Sequence, residues 1–252
     1  AAGIHMVRDT RANVVSYAID EAATIRGEII EDRIDGLRMI VDGEERHFHL
    51  VGRFNAFNLL AAYAAARSLG FPRKEVLDAL AAAPSVPGRF EIIRFADGTT
   101  AIIDYAHTPD ALENVLRTIH ETKDSSATLW CIFGCGGDRD REKRPMMGAI
   151  AERLADEVIV TSDNPRTEDP SSILNDIRQG MANPESAEWI IDRRQAIRES
   201  ARRAKAGDVV LIAGKGHEDY QIVGREKLPF DDRLIVRQAF ADRTHENPQP
   251  RN

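Results

Sequence analysis

Thr128-Leu129-Trp130-Cys131-Ile132-Phe133-Gly134-Cys135-Gly136-Gly137-Asp138-Arg139-Asp140-Arg141 begins as an apolar strand and ends as a charged, glycine-rich loop. A helical stretch follows, and the pattern then repeats. A second strand, Asp156 to Thr161, opens into Ser162-Asp163-Asn164-Pro165-Arg166. Two successive strands of a βαβ unit therefore both end in charged loops. In a parallel sheet such loops share the carboxyl edge, where open α/β folds bind ligands. Each loop delivers a guanidinium beside acidic and amide groups, a combination suited to a small molecule that carries both carboxylate and ammonium charges.

Outward from this pair, strands and helices alternate from Phe90 onward. Strands are expected over Glu91 to Phe95, Thr100 to Ile103, Thr128 to Phe133, Glu157 to Thr161, Glu188 to Ile191 and Asp208 to Ala213. Helices are expected over Pro109 to Thr122, Arg144 to Leu154, Ser171 to Met181, Arg194 to Ala204 and Asp231 to Ala241. Val/Ile-rich strands that are apolar on both faces predict a Rossmann-like, doubly wound, mostly parallel sheet in an α/β fold. No Gly-x-Gly-x-x-Gly follows the first strand, so the fold does not by itself imply a dinucleotide.

Upstream, Val86-Pro87-Gly88-Arg89 breaks the helical pattern and reads as a linker. Before it, Asn13 to Val51 forms short alternating runs with Asp35-Gly36 and Asp42-Gly43 turns, the pattern of an antiparallel meander. A helix is expected from Leu59 to Leu69, closed by Gly70, and another from Arg73 to Ala83, ended by Pro84. Asn55 and Asn58 then stand at a helix entrance, where an amide either caps or reads an adenine edge.

Size and charge narrow the function. The chain has 252 residues, enough for one large or two modest domains. Its net charge of −7, with acids and bases interspersed, argues against nucleic acid as a partner. It contains no apolar run of membrane length and no signal peptide, which with two cysteines near one strand end points to a reducing, cytoplasmic setting. Cys131 and Cys135, with no second pair, make a poor zinc site and are expected to pack. Ala1 to Met6 read as the remnant of an engineered junction, and Thr244 to Asn252 as a frayed tail.

Two further loops at strand ends carry candidate chemistry. Asp104-Tyr105-Ala106-His107-Thr108-Pro109 leads into a helix; Asp104 either holds a ribose hydroxyl or belongs to a capping network. Gly214-Lys215-Gly216-His217-Glu218-Asp219 offers close backbone approach and both charges, but Lys215 is not followed by Ser or Thr, so it is no phosphate loop. His217 reads as a solvated loop residue rather than a general base. Asp163-Asn164-Pro165-Arg166 is itself compatible with ordinary turn chemistry as well as binding.

Gly-Arg-Phe-Asn-x-x-Asn-Leu from Gly52, Pro-Gly-Arg from Pro87, Asp-Tyr-Ala-His-Thr-Pro-Asp-Ala-Leu from Asp104, Gly-Cys-Gly-Gly-Asp-Arg-Asp from Gly134, Asp-Asn-Pro-Arg from Asp163 and Ala-Gly-Lys-Gly-His-Glu-Asp from Ala213 occur in order. From Gly52 to about Ala241 the chain resembles the C-terminal part of the Mur ligase family, most closely its MurE branch. The resemblance implies ATP-dependent amide formation through an acyl phosphate, with UDP-MurNAc-L-Ala-D-Glu and meso-diaminopimelate as partners and ATP with magnesium as cofactors. By motif, Arg139, Asp163, Asn164, Pro165, Arg166, Gly214 and Glu218 would surround the amino acid. Asn58, Arg89 and Asp104 would lie on the nucleotide.

The resemblance also implies a domain layout: residues 7–87 as the end of a central ATP-binding domain and 88–243 as the whole amino-acid-binding domain. A lysine-adding homologue, a folylpolyglutamate synthetase and a non-catalytic amino-acid-binding module are the competing readings. No Gly-x-x-x-x-Gly-Lys-[Ser/Thr] occurs in the 252 residues. The family's phosphate loop and magnesium ligands are therefore expected upstream of residue 1. By themselves these residues are expected neither to hydrolyse ATP nor to form the amide, and robust turnover by the purified chain would overturn that.

Overall fold

The computed structural model describes residues 7–246, so the readings for Ala1 to Met6 and for residues 247–252 lie outside the described residues. The chain divides between Pro84 and Ser85 into two units.

The first unit holds β1 (Tyr17–Ile19), β2 (Ile25–Arg33), β3 (Gly36–Val41), β4 (Glu44–Phe48), α1 (Arg53–Ser68) and α2 (Arg73–Ala82). Strands β2, β3 and β4 form the expected antiparallel meander. The β3–β4 turn has positive φ at both Asp42 and Gly43, the mirror-image geometry that suits a two-residue hairpin. Strand β1 departs from expectation by pairing with β2 in parallel, Tyr17 opposite Ile25. With only three residues in β1, the five residues that follow can carry the chain back beside its own start. Ser16 and Thr24 clasp that return through their hydroxyls, 3.1 Å apart.

Helix α1 begins six residues earlier than the sequence reading placed it. Gly52, at φ 92°, is its N-cap, and nothing between Arg53 and Asn58 breaks a helix. Asn55 and Asn58 thus sit inside the helix and do not cap it. Asn55 donates to Val51 O at 2.8 Å, and Asn58 donates to Asn55 Oδ1 at 3.1 Å. Ala56, Leu59, Leu60 and Tyr63 are buried against Leu37, Met39, Val41 and Phe48. The Tyr63 hydroxyl donates to Asp42 Oδ2, and burial pushes its pKa up to about 12.

The second unit is the doubly wound sheet. Its strands are β5 (Glu91–Arg94), β6 (Thr100–Asp104), β7 (Leu129–Phe133), β8 (Glu157–Val160), β9 (Glu188–Trp189) and β10 (Val209–Ala213). They lie in the order β5-β6-β10-β7-β8-β9, with only the edge strand β5 antiparallel. The helices are α3 (Pro109–Thr122), α4 (Lys143–Leu154), α5 (Pro170–Arg178), α6 (Arg193–Arg203) and α7 (Asp232–Glu246). On one face, Ala196, Ile197 and Ala201 of α6 and Ile235, Val236 and Phe240 of α7 cover Ile103, Ile132, Ile159, Val210 and Ile212. The alternate residues Ile102, Cys131, Phe133 and Leu211 are equally buried and face the other side, where α3, α4 and α5 pack in series. Helix α7 runs on to Glu246, five residues past its expected end.

A two-stranded hairpin, β11 (Tyr220–Val223) and β12 (Glu226–Pro229), follows β10. The sequence reading left this stretch unassigned, although Gly224-Arg225 between two alternating runs carries a hairpin signal.

The sheet core sets the stability of this unit. Truncating Ile212 to Ala, at a fully buried central-strand position, is expected to cost about 3 kcal/mol. Both tryptophans of the chain, Trp130 and Trp189, lie in this unit, so denaturant unfolding followed by their fluorescence reads its stability alone.

Candidate functional site

Parallel register brings four strand ends to one level. Ala213 pairs with Asp104, Ile212 with Ile132, and Phe133 with Val160. The loops after β6, β10, β7 and β8 therefore meet at the carboxyl edge, as the sequence reading required.

At the centre stands Lys215, fully buried. Its Nζ donates to Asn164 Oδ1 at 2.9 Å and to Glu218 Oε2 at 3.3 Å, and pairs with Asp163 Oδ1 at 3.3 Å. Asn164 Nδ2 donates to the same Glu218 oxygen at 2.9 Å. Gly214, at φ 119°, lets the chain pass close to Asp163: a Cβ there would lie 3.4 Å from Oδ2. Asp163, Asn164, Gly214 and Glu218 are thus brought together, with Lys215 between them.

The hairpin fixes the Asp163–Arg166 loop from above. Ile222 N–H donates to Asn164 Oδ1, Gln221 Nε2 donates to Asp163 O, Arg166 N–H donates to Ile222 O and Gly224 N–H donates to Arg166 O. These bonds hold Arg166 at φ 53°, a left-handed conformation that costs a non-glycine residue about 1 kcal/mol. Its guanidinium donates through Nη1 to Gly137 O at 2.8 Å. Pro165 is buried, and its carbonyl lies where a Cβ on Gly137 would collide.

Arg139 is exposed, its Nη1 donating to Asp138 O at 3.0 Å. An ideal Cβ on Gly136 would sit 2.9 Å from Arg166 Nη1 and 3.8 Å from Arg139 Cγ, so both arginine side chains flank the same glycine. Among the described residues neither guanidinium is held in an ion pair. They are free to meet an outside anion.

The other predicted residues fall in two places. Asp104 Oδ2 accepts from Phe90 N–H at 2.7 Å, tying the linker to β6 and not capping α3, whose cap is Thr108. Burial pushes the Asp104 carboxyl above its ordinary value, against the pull of the Phe90 and Ala106 amides. Arg89 lies 4.7 Å over the Tyr105 ring, which also meets His107 and the exposed His217. Asn58 belongs to the first unit, on an exposed turn of α1. Cys131 and Cys135 are free and buried; burial pushes both thiols up to about 12, as packing residues require.

Sequence reasoning missed the frame behind the loops. Arg144, fully buried, donates to Glu168 Oε1 and Oε2 at 2.8 and 2.9 Å, to Asp176 Oδ2 at 2.8 Å and to Gly136 O at 3.1 Å. Glu168 also accepts from Asp138 N–H. One cation thereby joins the glycine-rich loop to the Asp163–Arg166 loop. Arg193 does the same behind β10, paired with Asp232 at 2.7 Å and donating to Ala213 O. Neither stands out from other helix-start arginines in sequence.

The hydrogen bonds from Arg144 hold Glu168 at about 2, down from the ordinary 4.5. A depressed carboxylate stabilises fully above pH 4.5 and loses that contribution as pH falls towards 2. Glu168→Gln is therefore expected to weaken the second unit at pH 7 and to flatten its decline between pH 4.5 and 2. Tryptophan-monitored unfolding across that range checks this, and parallel pH curves for the two proteins would refute it.

Comparison with known proteins agrees with this geometry. The family described as "Mur ligase, glutamate ligase domain" matches residues 88–216. A Parabacteroides distasonis protein named UDP-N-acetylmuramoyl-L-alanyl-D-glutamate--2,6-diaminopimelate ligase is 48% identical over 241 residues, covering 95% of this chain and 50% of its own length. A Thermosynechococcus vestitus protein of the same name is 49% identical over 235 residues, covering 90% of this chain and 47% of its own. A solved structure of a ligase so named superposes with a TM-score of 0.67 at 40% identity, over 92% of this chain and 48% of that one. MurF from Thermotoga maritima, solved with ADP, shares the fold at 16% identity and a TM-score of 0.65, over 97% of this chain and 52% of that one. The chain spans about half the length of the curated relatives it matches. With the family's domain over half its residues and the matching strand-end loops in place, the chain belongs to the Mur ligase family.

Proposed function

We propose that this chain carries the amino-acid-accepting part of an ATP-dependent ligase that adds meso-diaminopimelate to UDP-MurNAc-L-Ala-D-Glu in peptidoglycan precursor synthesis. The observation that carries this reading is the charge arrangement at the carboxyl edge. Arg166 and Arg139, with no carboxylate of their own, flank Gly136, while Asp163, Asn164 and Glu218 form an acid–amide cluster around Lys215. One set suits a carboxylate and the other an ammonium. Diaminopimelate presents both on its distal carbon, and lysine lacks the distal carboxylate. The names of the relatives support the same substrate.

In this reading Arg166 grips the distal carboxylate with its planar fork and Arg139 adds charge from the rim. Gly214 and Pro165 shape the wall. The distal end is thereby anchored, and the other amine is left to attack the activated acceptor. Holding the two reactants in place is this part's contribution to the rate.

Arg89 with Tyr105 and Asp104 are assigned to the nucleotide, Asp104 offering an acceptor to a ribose hydroxyl; Asn58, in the first unit, has an amide with a donor and an acceptor of the kind that reads a base. A triphosphate and magnesium do not fit the residues present. The sequence has no phosphate loop, and the described residues contain no cluster of three or more metal-ligating side chains. Residues 7–87, in this reading, belong to a central ATP-binding domain, and no step is derived through a phosphate or metal group. No helix among the described residues is long and apolar enough to cross a membrane. Nucleotide-linked substrates place the enzyme in the cytoplasm.

Removing one charged, forked contact costs about 2 kcal/mol, roughly thirtyfold in affinity. Arg166→Ala in the full-length enzyme is expected to raise KM for meso-diaminopimelate by about that factor and to leave any turnover of lysine unchanged. A parallel loss for lysine would remove the distal carboxylate from Arg166.

A further inference from the structure

Among the described residues, Lys215 is the one fully buried cation that touches the proposed amino-acid ligands directly, and the family motif assigns it no role. Its Nζ reaches Asp163 Oδ1 and Glu218 Oε2, each at 3.3 Å. The two carboxylate oxygens are therefore at most about 6.6 Å apart, twice that distance. Two carboxylates so close, in a site largely screened from water, repel each other. An ammonium between them offsets that repulsion. The trio then carries one net negative charge, which a single ligand ammonium neutralises.

The same nitrogen also sets the Asn164 amide. Asn164 Oδ1 accepts from Lys215 Nζ and from Ile222 N–H, both at 2.9 Å, so its Nδ2 must face Glu218. Glu218 Oε2 is thereby held by two donors, and its other oxygen has no hydrogen bond among the described residues. Asp163 Oδ2 stands beside Gly214 and likewise accepts no hydrogen bond among the described residues. Lys215 thus contacts one oxygen of each carboxylate and leaves the other without a hydrogen-bond partner among the described residues.

We propose that Lys215 is a positioning residue for the amino-acid substrate: it holds the Asp163 and Glu218 carboxylates around one buried ammonium and Asn164 in one orientation, so that the site receives an ammonium group. This rests on the functional reading above.

The test uses the full-length enzyme with Lys215→Met, which keeps side-chain length and removes the charge. KM for diaminopimelate is expected to rise roughly thirtyfold, with kcat and the KM values for ATP and for the UDP-linked acceptor within about threefold. A merely structural role would lower kcat or raise all KM values together, and that result overturns the proposal.

Glu218→Gln added to Lys215→Met removes one of the two uncompensated carboxylates, which keeps the comparison available if the single variant fails to fold. The double variant is expected to lose less than the product of the two single effects, since part of the Lys215 effect passes through the Glu218 carboxylate, whereas fully multiplied effects overturn the proposal. Wild-type enzyme that turns over lysine but not diaminopimelate would remove the substrate reading alone, and the Lys215 comparison would then be judged with lysine. Wild-type enzyme that uses neither ends both.

Discussion

Arg144 sits wholly inside the protein with Glu168, Asp176 and the Gly136 carbonyl around it, and its position decides where two strand-end loops stand relative to one another. Taking a guanidinium out of water is costly, and the cost is offset only where its donors find well-placed acceptors. Here the acceptors come from both loops and from α5, so the bond network can form only when the elements are docked. The charge acts less as a source of stability than as a gauge of geometry. Arg193 with Asp232 repeats the device under the end of β10.

Close backbone approach is the second constraint. Gly134 and Gly137 have no room for a Cβ, because Thr161 O and Pro165 O stand where it would go. The glycines let the β7 loop lie directly against the β8 loop, and that contact places Arg139 beside Arg166. Arg166 itself is held in a left-handed conformation by the β11–β12 hairpin. A strained residue kept in place by the hairpin and by the loop after β7 has its direction set before any ligand arrives, which lowers the ordering cost of binding.

Much of this was legible in the sequence because it depends on local pattern. Apolar runs of three to five residues gave β6, β7 and β10 within a residue or so, and Thr108-Pro109 gave the start of α3. The charged residues following those strands had to share an edge once the strands were parallel. What escaped depends on contacts between distant segments. Arg144 and Arg193 look like surface cations in sequence, Lys215 lies in a candidate loop but with no partner assigned, and only the folded loops show each bonded to oxygen atoms. The parallel pairing of β1 escaped because alternation gives the faces of a strand and not the direction of its partner. The early start of α1 escaped because two asparagines suggested a cap, when one of them bonds backward to Val51 from inside the helix.

The burial of Cys131 and Cys135 has a practical side. Maleimides and similar reagents attack thiolates, and thiols pushed up to about 12 hold almost no thiolate near neutral pH. A single new cysteine on an exposed surface would therefore take up a dye or spin label selectively, with both native sulfurs left in place. Spectroscopic probes can be attached to this protein without first rebuilding its interior.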